Sequence, residues 1–229
     1  MIRQQNATSS LQPRENRLRI TATLLNQWQR IFDCEDYVKE SDKDTISYED
    51  KLLDARKKAI EEFRATLTRQ PVPINEAMQR GMDFEADVQN GLDEEFSPII
   101  EGGAYQVVVQ KKVEVDGIKL NLFGILDWLK AGHIYDAKRV KDYKTQKYRK
   151  SHQHPLYLFM VPKSVDFTYL VKSDSNKEPY HHEPYVRENC EDILRTISCF
   201  LSWLKANDMW DLYVYYWNED YIKSRKRSK

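Results

Sequence analysis

Apolar residues recur at helical spacing through three stretches of the first ninety residues, and the pattern then changes to alternation. TATLLNQWQRIFDCEDYVKE, residues 21–40, opens on threonines suited to cap a helix and sets Leu24, Leu25, Trp28, Ile31 and Phe32 on one face. YEDKLLDARKKAIEEFRATL, residues 48–67, repeats the spacing with Leu52, Leu53, Ala59, Ile60, Phe63 and Leu67. A third helix is expected from about Ile74 to Asn90, with Gly91 as its stop signal. The charges of this front part read as solvated helix faces.

Alternation begins at AYQVVVQKKVEV, residues 104–115, continues through IKLNLFGILDWLK, residues 118–130, and ends in HIYDAKRV, residues 133–140. Asp116-Gly117 and Ala131-Gly132 separate the runs, which predicts three antiparallel strands in a meander, Asp-Gly being the stronger turn signal. Residues 148–160 return to helical character, with Pro155 tolerable only inside a first turn. VDFTYLV and the segment around PYHHEPYV read as further strands, and ENCEDILRTISCFLSWLKAN as an amphipathic helix. The order predicts an α/β (α+β) fold with a central mixed sheet flanked by helices and a helical N-terminal part. Residues 1–17 read as a flexible arm, 18–222 as one domain (a helical part over 18–73, a core over 74–222), and 223–229 as a basic tail.

Within the meander, the turn at Ala131-Gly132 pairs Lys130 with His133, and counting outward brings Asp127 opposite Asp136. Like charges so placed destabilise a sheet unless something compensates. Lys138, two residues beyond Asp136, falls on the same face. Two carboxylates with an ammonium beside them suit a hard divalent cation, because Mg²⁺ prefers oxygen ligands. The same spacing also fits a surface ion pair between Asp136 and Lys138, with Asp127 at a frayed strand end. Glu49-Asp50-Lys51 and Asp142-Tyr143-Lys144 share the acid-to-lysine spacing but lack a second carboxylate placed by a hairpin.

Composition narrows the classes. Lysine and arginine total 36 against 36 acidic residues, so net charge gives no argument for a polyanionic partner. Their distribution does: the run KRVKDYKTQKYRK, residues 138–150, is strongly basic. Cys34, Cys190 and Cys199 are odd in number and lack CxxC spacing, against a disulfide framework, a zinc knuckle or a four-cysteine cluster. No apolar run approaches a membrane span and no signal-peptide core is present, so a cytoplasmic protein without a membrane partner is expected. GxSxG and GxxxxGK[ST] motifs are absent, and adjacent His181 and His182 point to opposite faces of a strand.

Four pieces, in order, resemble the PD-(D/E)xK nuclease superfamily, in particular its RecB-like and phage lambda exonuclease-like branch: RGMDFE (residues 80–85), GILD (124–127), DAK (136–138) and QHPLY (153–157). The resemblance covers roughly residues 74–160. It implies that Glu85, Asp127, Asp136 and the backbone carbonyl of Ala137 bind Mg²⁺, with Mn²⁺ able to substitute, and that Lys138 acts with Glu85, Asp127 and Asp136 in catalysis. Gln153 and Tyr157 then match the branch's Q-x-x-x-Y element and, four apart, share a helix face that can turn toward nucleic acid or the metal. Arg80 could hold a phosphate bidentately, or pair with Glu76 or Asp83 on its own helix. Arg139 and Lys141, with the lysines that follow, could track a DNA backbone, or form a solvated loop. Linear double- or single-stranded DNA is the implied substrate, an exonuclease of phage or mobile-element recombination and repair the implied role. A single-strand annealing or binding protein is the implied partner, and an oligomer is compatible. Three unclustered cysteines exclude the iron-sulfur cluster that some relatives carry. A catalytically silent binding or assembly subunit is the rival, but its usual mark, decay of the lysine or an acidic ligand, is missing here.

Overall fold

The computed structural model describes residues 16–38 and 46–227. The arm expected over residues 1–17 lies, up to position 15, outside the described residues. Six strands among them form one mixed sheet: β1 (Leu18–Ile20), β2 (Ala104–Val115), β3 (Ile118–Lys130), β4 (His133–Val140), β5 (Asp166–Ser173) and β6 (Tyr180–Tyr185). Around it lie α1 (Ala22–Gln29), α2 (Tyr48–Leu67), α3 (Glu76–Gln89), α4 (Ser97–Ile100), α5 (Gln153–Met160), α6 (Ile193–Ala206), α7 (Trp210–Trp217) and α8 (Glu219–Arg227). The expected mixed sheet with flanking helices is the architecture found.

Local chemistry sets most element boundaries. Thr21, Ser47, Asn75 and Asp192 each accept a backbone N–H of the first turn they precede, capping α1, α2, α3 and α6. Asp192 thereby starts α6 at Ile193, so the ENCED segment expected to be helical stays outside it. Pro155 is the third residue of α5, within the first turn, where its missing N–H costs nothing. The hairpin turns hold Asp116 at φ 51° with Gly117 at 75°, and Ala131 at 50° with Gly132 at 88°. Left-handed pairs of this kind match the twist of the strands they join.

Two cores lie on opposite faces of the sheet. The larger packs Leu24, Phe63, Leu156, Phe200 and Tyr213 against Leu120, Leu122, Leu126, Ile134, Phe167 and Val171. Trp28, Phe63, Phe200 and Trp203 meet edge to face there, with centroids such as Trp28–Phe200 at 5.5 Å and Phe63–Trp203 at 5.5 Å. Each such pair adds about 0.5–1.5 kcal/mol beyond area burial. The smaller core packs Phe84 and Val88 of α3 and Phe96 and Ile100 around α4 against Trp128, Ala137 and Leu170. Leu53 and Phe32, expected inside, stand 52% and 42% exposed. Strand β1 and helices α7 and α8 have no counterpart in the sequence pattern, and α8 takes in the start of the expected basic tail.

Strand β3 carries three neighbours. β2 runs antiparallel along one side; on the other, β1 pairs in parallel with Leu120–Leu122 and β4 pairs antiparallel with Trp128–Lys130. Between them residues 123–127 have no strand partner on that side among the described residues. Helix α5 closes the gap: the Tyr157 hydroxyl donates to the Ile125 carbonyl at 3.1 Å. Gly124 permits this approach, since a Cβ there would meet Tyr157 Cε1 at 2.3 Å.

Alternation also breaks at this gap. Leu126 belongs to the larger core and Trp128 to the smaller, although residues two apart in a regular strand share a face. Gln106 lies opposite Asp127 outside the bonded register, and its φ of 53° bends β2 at the same level.

Gly124→Ala is expected to destabilise the chain by about 1–3 kcal/mol, the usual range for overpacking. Thermal unfolding should show it, at roughly 2–4 °C per kcal/mol for a chain of this size; an unchanged midpoint would refute the close approach of Tyr157. His154 and His152 supply a second test. Burial holds His154 near pKa 3 and lowers His152, while His154 stacks on Tyr185 at 3.7 Å. Both are depressed below the ordinary 6.5 of histidine, so the stability they contribute is complete above that pH and is lost as pH falls toward 3. The unfolding midpoint should therefore drop between pH 7 and 5, and His154→Phe should flatten that slope.

Candidate active site

Strand β4 pairs with β5 over its whole length, which keeps its alternation regular and turns Ile134, Asp136 and Lys138 to the face that α5 covers. Asp136 is only 2% exposed. Its Oδ1 accepts from Gln153 Nε2 at 2.5 Å, the first residue of α5. Its Oδ2 is paired with the Lys138 ammonium.

The register predicted from the turn holds for Lys130–His133, Leu129–Ile134 and Trp128–Tyr135, and the ladder ends there. Asp127 therefore meets Asp136 at the mouth of the gap, within hydrogen-bonding reach, and not as a rung of the sheet. Burial, then the Asp136 carboxylate, push Asp127 up to about 9 against the opposing charge of Lys138. Burial works against the Lys138 charge, but Asp136 and Asp127 outweigh it and hold its pKa above that of an ordinary lysine. Burial and the neighbouring carboxylate thus oppose the Asp127 charge, an opposition that further positive charge would relieve.

Glu85 enters from α3. Its Oε1 accepts from the Tyr105 hydroxyl at 2.9 Å and from Gln106 Nε2 at 2.8 Å, and its charge adds to the pressure on Asp127. Among the described residues no three His, Cys, Asp or Glu side chains are gathered closely enough to hold an ion by themselves, so Glu85 stands apart from the aspartate pair. The donor set still fits Mg²⁺, which commonly binds through one or two carboxylates and completes its shell with water and phosphate oxygens. The crowding of the Asp127 and Asp136 carboxyls, which pushes Asp127 above the usual carboxylate range, is the feature a cation would relieve.

The remaining expected residues are not all brought to this point. Tyr157 is buried with its hydroxyl donating to the Ile125 carbonyl, and Gln153 donates to Asp136, so this helix face turns toward the aspartates. Arg80 pairs with Glu76 at 3.5 Å, the intrahelical alternative. Arg139 falls on the opposite face from Asp136 and donates to Asp174 at 2.9 Å. The Ala137 side chain is in the smaller core, with its backbone between Asp136 and Lys138. Lys141, Lys144 and Arg149 are exposed, whereas Lys150 is engaged by Asp33 and Asp36.

Four residues escaped the sequence reading. Tyr105 and Gln106 hold Glu85, and nothing in the alternation of AYQVVV marks them. Glu183, buried on β6, accepts from the Tyr143 hydroxyl at 2.7 Å, the Tyr148 amide at 3.0 Å and the Tyr185 hydroxyl at 2.5 Å, pinning the basic segment to the sheet. Tyr148 stacks on Tyr169 at 4.3 Å, the register partner of Asp136, and its buried hydroxyl has no hydrogen-bond partner among the described residues.

No family model and no curated protein matches the chain. Among solved structures, the chain is similar to SSO0001 (12% identity, 85% of this chain and 77% of that one, TM-score 0.49). It is similar to an alkaline exonuclease, LHK-Exo, from Laribacter hongkongensis (16% identity, 92% and 94% coverage, TM-score 0.44). A third is a putative exonuclease from Eubacterium rectale (13% identity, 85% and 81% coverage, TM-score 0.39). Likenesses at these scores carry no functional inference.

Proposed function

We propose that this chain is a Mg²⁺-dependent nuclease that hydrolyses phosphodiester bonds of linear DNA from its ends. The observation that supports this most is the meeting of Asp127 and Asp136 beside Lys138 at a gap in the sheet, where two carboxyls crowd one ammonium. Asp127 and Asp136 are the cation ligands in this reading, with Glu85 and the Ala137 carbonyl completing the protein's share. A bound Mg²⁺ would activate water and offset charge on the phosphate oxygens.

The chain's own residues supply the rest. Lys138 shares the face of Asp136 and is about one-third exposed, so its ammonium can reach a phosphate oxygen and the attacking water. Kept protonated by the two aspartates, it acts as hydrogen-bond donor and charge partner. Gln153 fixes the orientation of Asp136 and leaves Oδ2 directed at Lys138. Exposed Lys141, Lys144 and Arg149 offer a non-specific contact for the DNA backbone, giving affinity that falls with salt. DNA ends in phage or mobile-element recombination and repair are the setting that the motif resemblance implies, with Mn²⁺ able to replace Mg²⁺.

Purified protein should degrade linear DNA only when Mg²⁺ or Mn²⁺ is supplied, and leave a covalently closed circle intact. Lys138→Ala should lower the rate by about 10²–10³-fold, the typical cost of removing one transition-state donor. Absence of metal-dependent cleavage on every substrate would overturn the nuclease reading. Equal cutting of the circle would overturn only the requirement for ends.

A further inference from the structure

We propose that Tyr105 and Gln106 are positioning residues that hold Glu85 for a cation shared with Asp127 and Asp136, so that the bend in β2 is part of the site. This rests on the cation site proposed above. The two side chains donate to the same oxygen, Oε1, at 2.9 and 2.8 Å. Neither donor engages Oε2, which leaves that oxygen to meet a cation. A glutamate on an exposed helix face otherwise samples several rotamers, and two fixed donors remove that freedom before any ligand arrives.

The backbone supports the same reading. Gln106 adopts φ 53°, a left-handed conformation that residues with a Cβ take only under constraint from their surroundings. Its side chain is exposed, so core packing does not explain its identity. Glycine would adopt this backbone freely but has no carboxamide to offer Glu85. The bend also puts Tyr105 on the face of the smaller core, with its ring 5.4 Å from that of Trp128, and this directs the hydroxyl at α3. Gln106 lies opposite Asp127 in the strand pair, so one distortion serves both carboxylates.

Gln106→Gly keeps the bend and removes one donor; Tyr105→Phe keeps the ring and removes the other. Mn²⁺ binding by the folded full chain, measured by isothermal titration calorimetry, is expected to weaken about 10-fold in each, the scale on which outer-shell partners act. The Gln106→Gly unfolding midpoint should stay at or above the wild-type value. In a Glu85→Gln background, itself weaker in Mn²⁺, neither change should have a further effect. Wild-type Mn²⁺ affinity in both variants would overturn this proposal while leaving the cation site standing. Loss of affinity with a lowered midpoint in both would make the pair props of the bend, and would also overturn it. Failure of the wild-type chain to bind Mn²⁺ would remove the cation site itself.

Discussion

Asp127 and Asp136 face each other where β3 and β4 part, and the surrounding structure is organised about that unfavourable meeting. Like charges at this separation would be expelled to solvent in an ordinary sheet. Here they stay because three constraints act together: full pairing of β4 with β5, a ladder between β3 and β4 that stops one rung short, and the Lys138 ammonium on Asp136. The cost shows as an Asp127 carboxyl pushed above the usual carboxylate range by burial and by Asp136.

Interruption of the sheet makes room for the site and creates a second difficulty, since backbone groups of residues 123–127 lose a strand partner on one side. Helix α5 answers it with Tyr157, which satisfies the Ile125 carbonyl, while Gln153 four residues earlier reaches Asp136. One helix face thus repairs the sheet and orients a ligand. Gly124 is the counterpart in the strand, its missing side chain being the space that the Tyr157 ring occupies. On the far side of β3, Gln106 and Tyr105 connect the same irregularity to Glu85.

The basic segment after β4 is held by burial of an anion. Among the described residues Glu183 has three hydrogen-bond donors and no ion pair, so hydrogen bonds satisfy this buried side chain. Those bonds tie Tyr143 and Tyr148 to the edge of the sheet, and the exposed cations between and beyond them are carried on a tethered chain.

Periodicity in the sequence was enough to determine the helices from Tyr48 to Leu67 and near Glu76–Gln89, the meander, its turns and its register as far as Trp128–Tyr135, because each depends on neighbours within a few residues. The face shared by Asp136 and Lys138 followed from alternation for the same reason. Strand β1 could not be read, since three residues show no period and Leu18–Ile20 are held by pairing with β3 and by the buried Arg19–Glu219 ion pair, 200 positions apart. Nor could the end of the ladder at Trp128, the reversal of faces at Asp127, the bend at Gln106 or the grip on Glu85. Local pattern assumes a regular strand, and regularity here is broken by groups distant in sequence. Only the packed structure brings α3 and α5 to opposite sides of one interrupted strand, so it alone decided how the carboxylates are held.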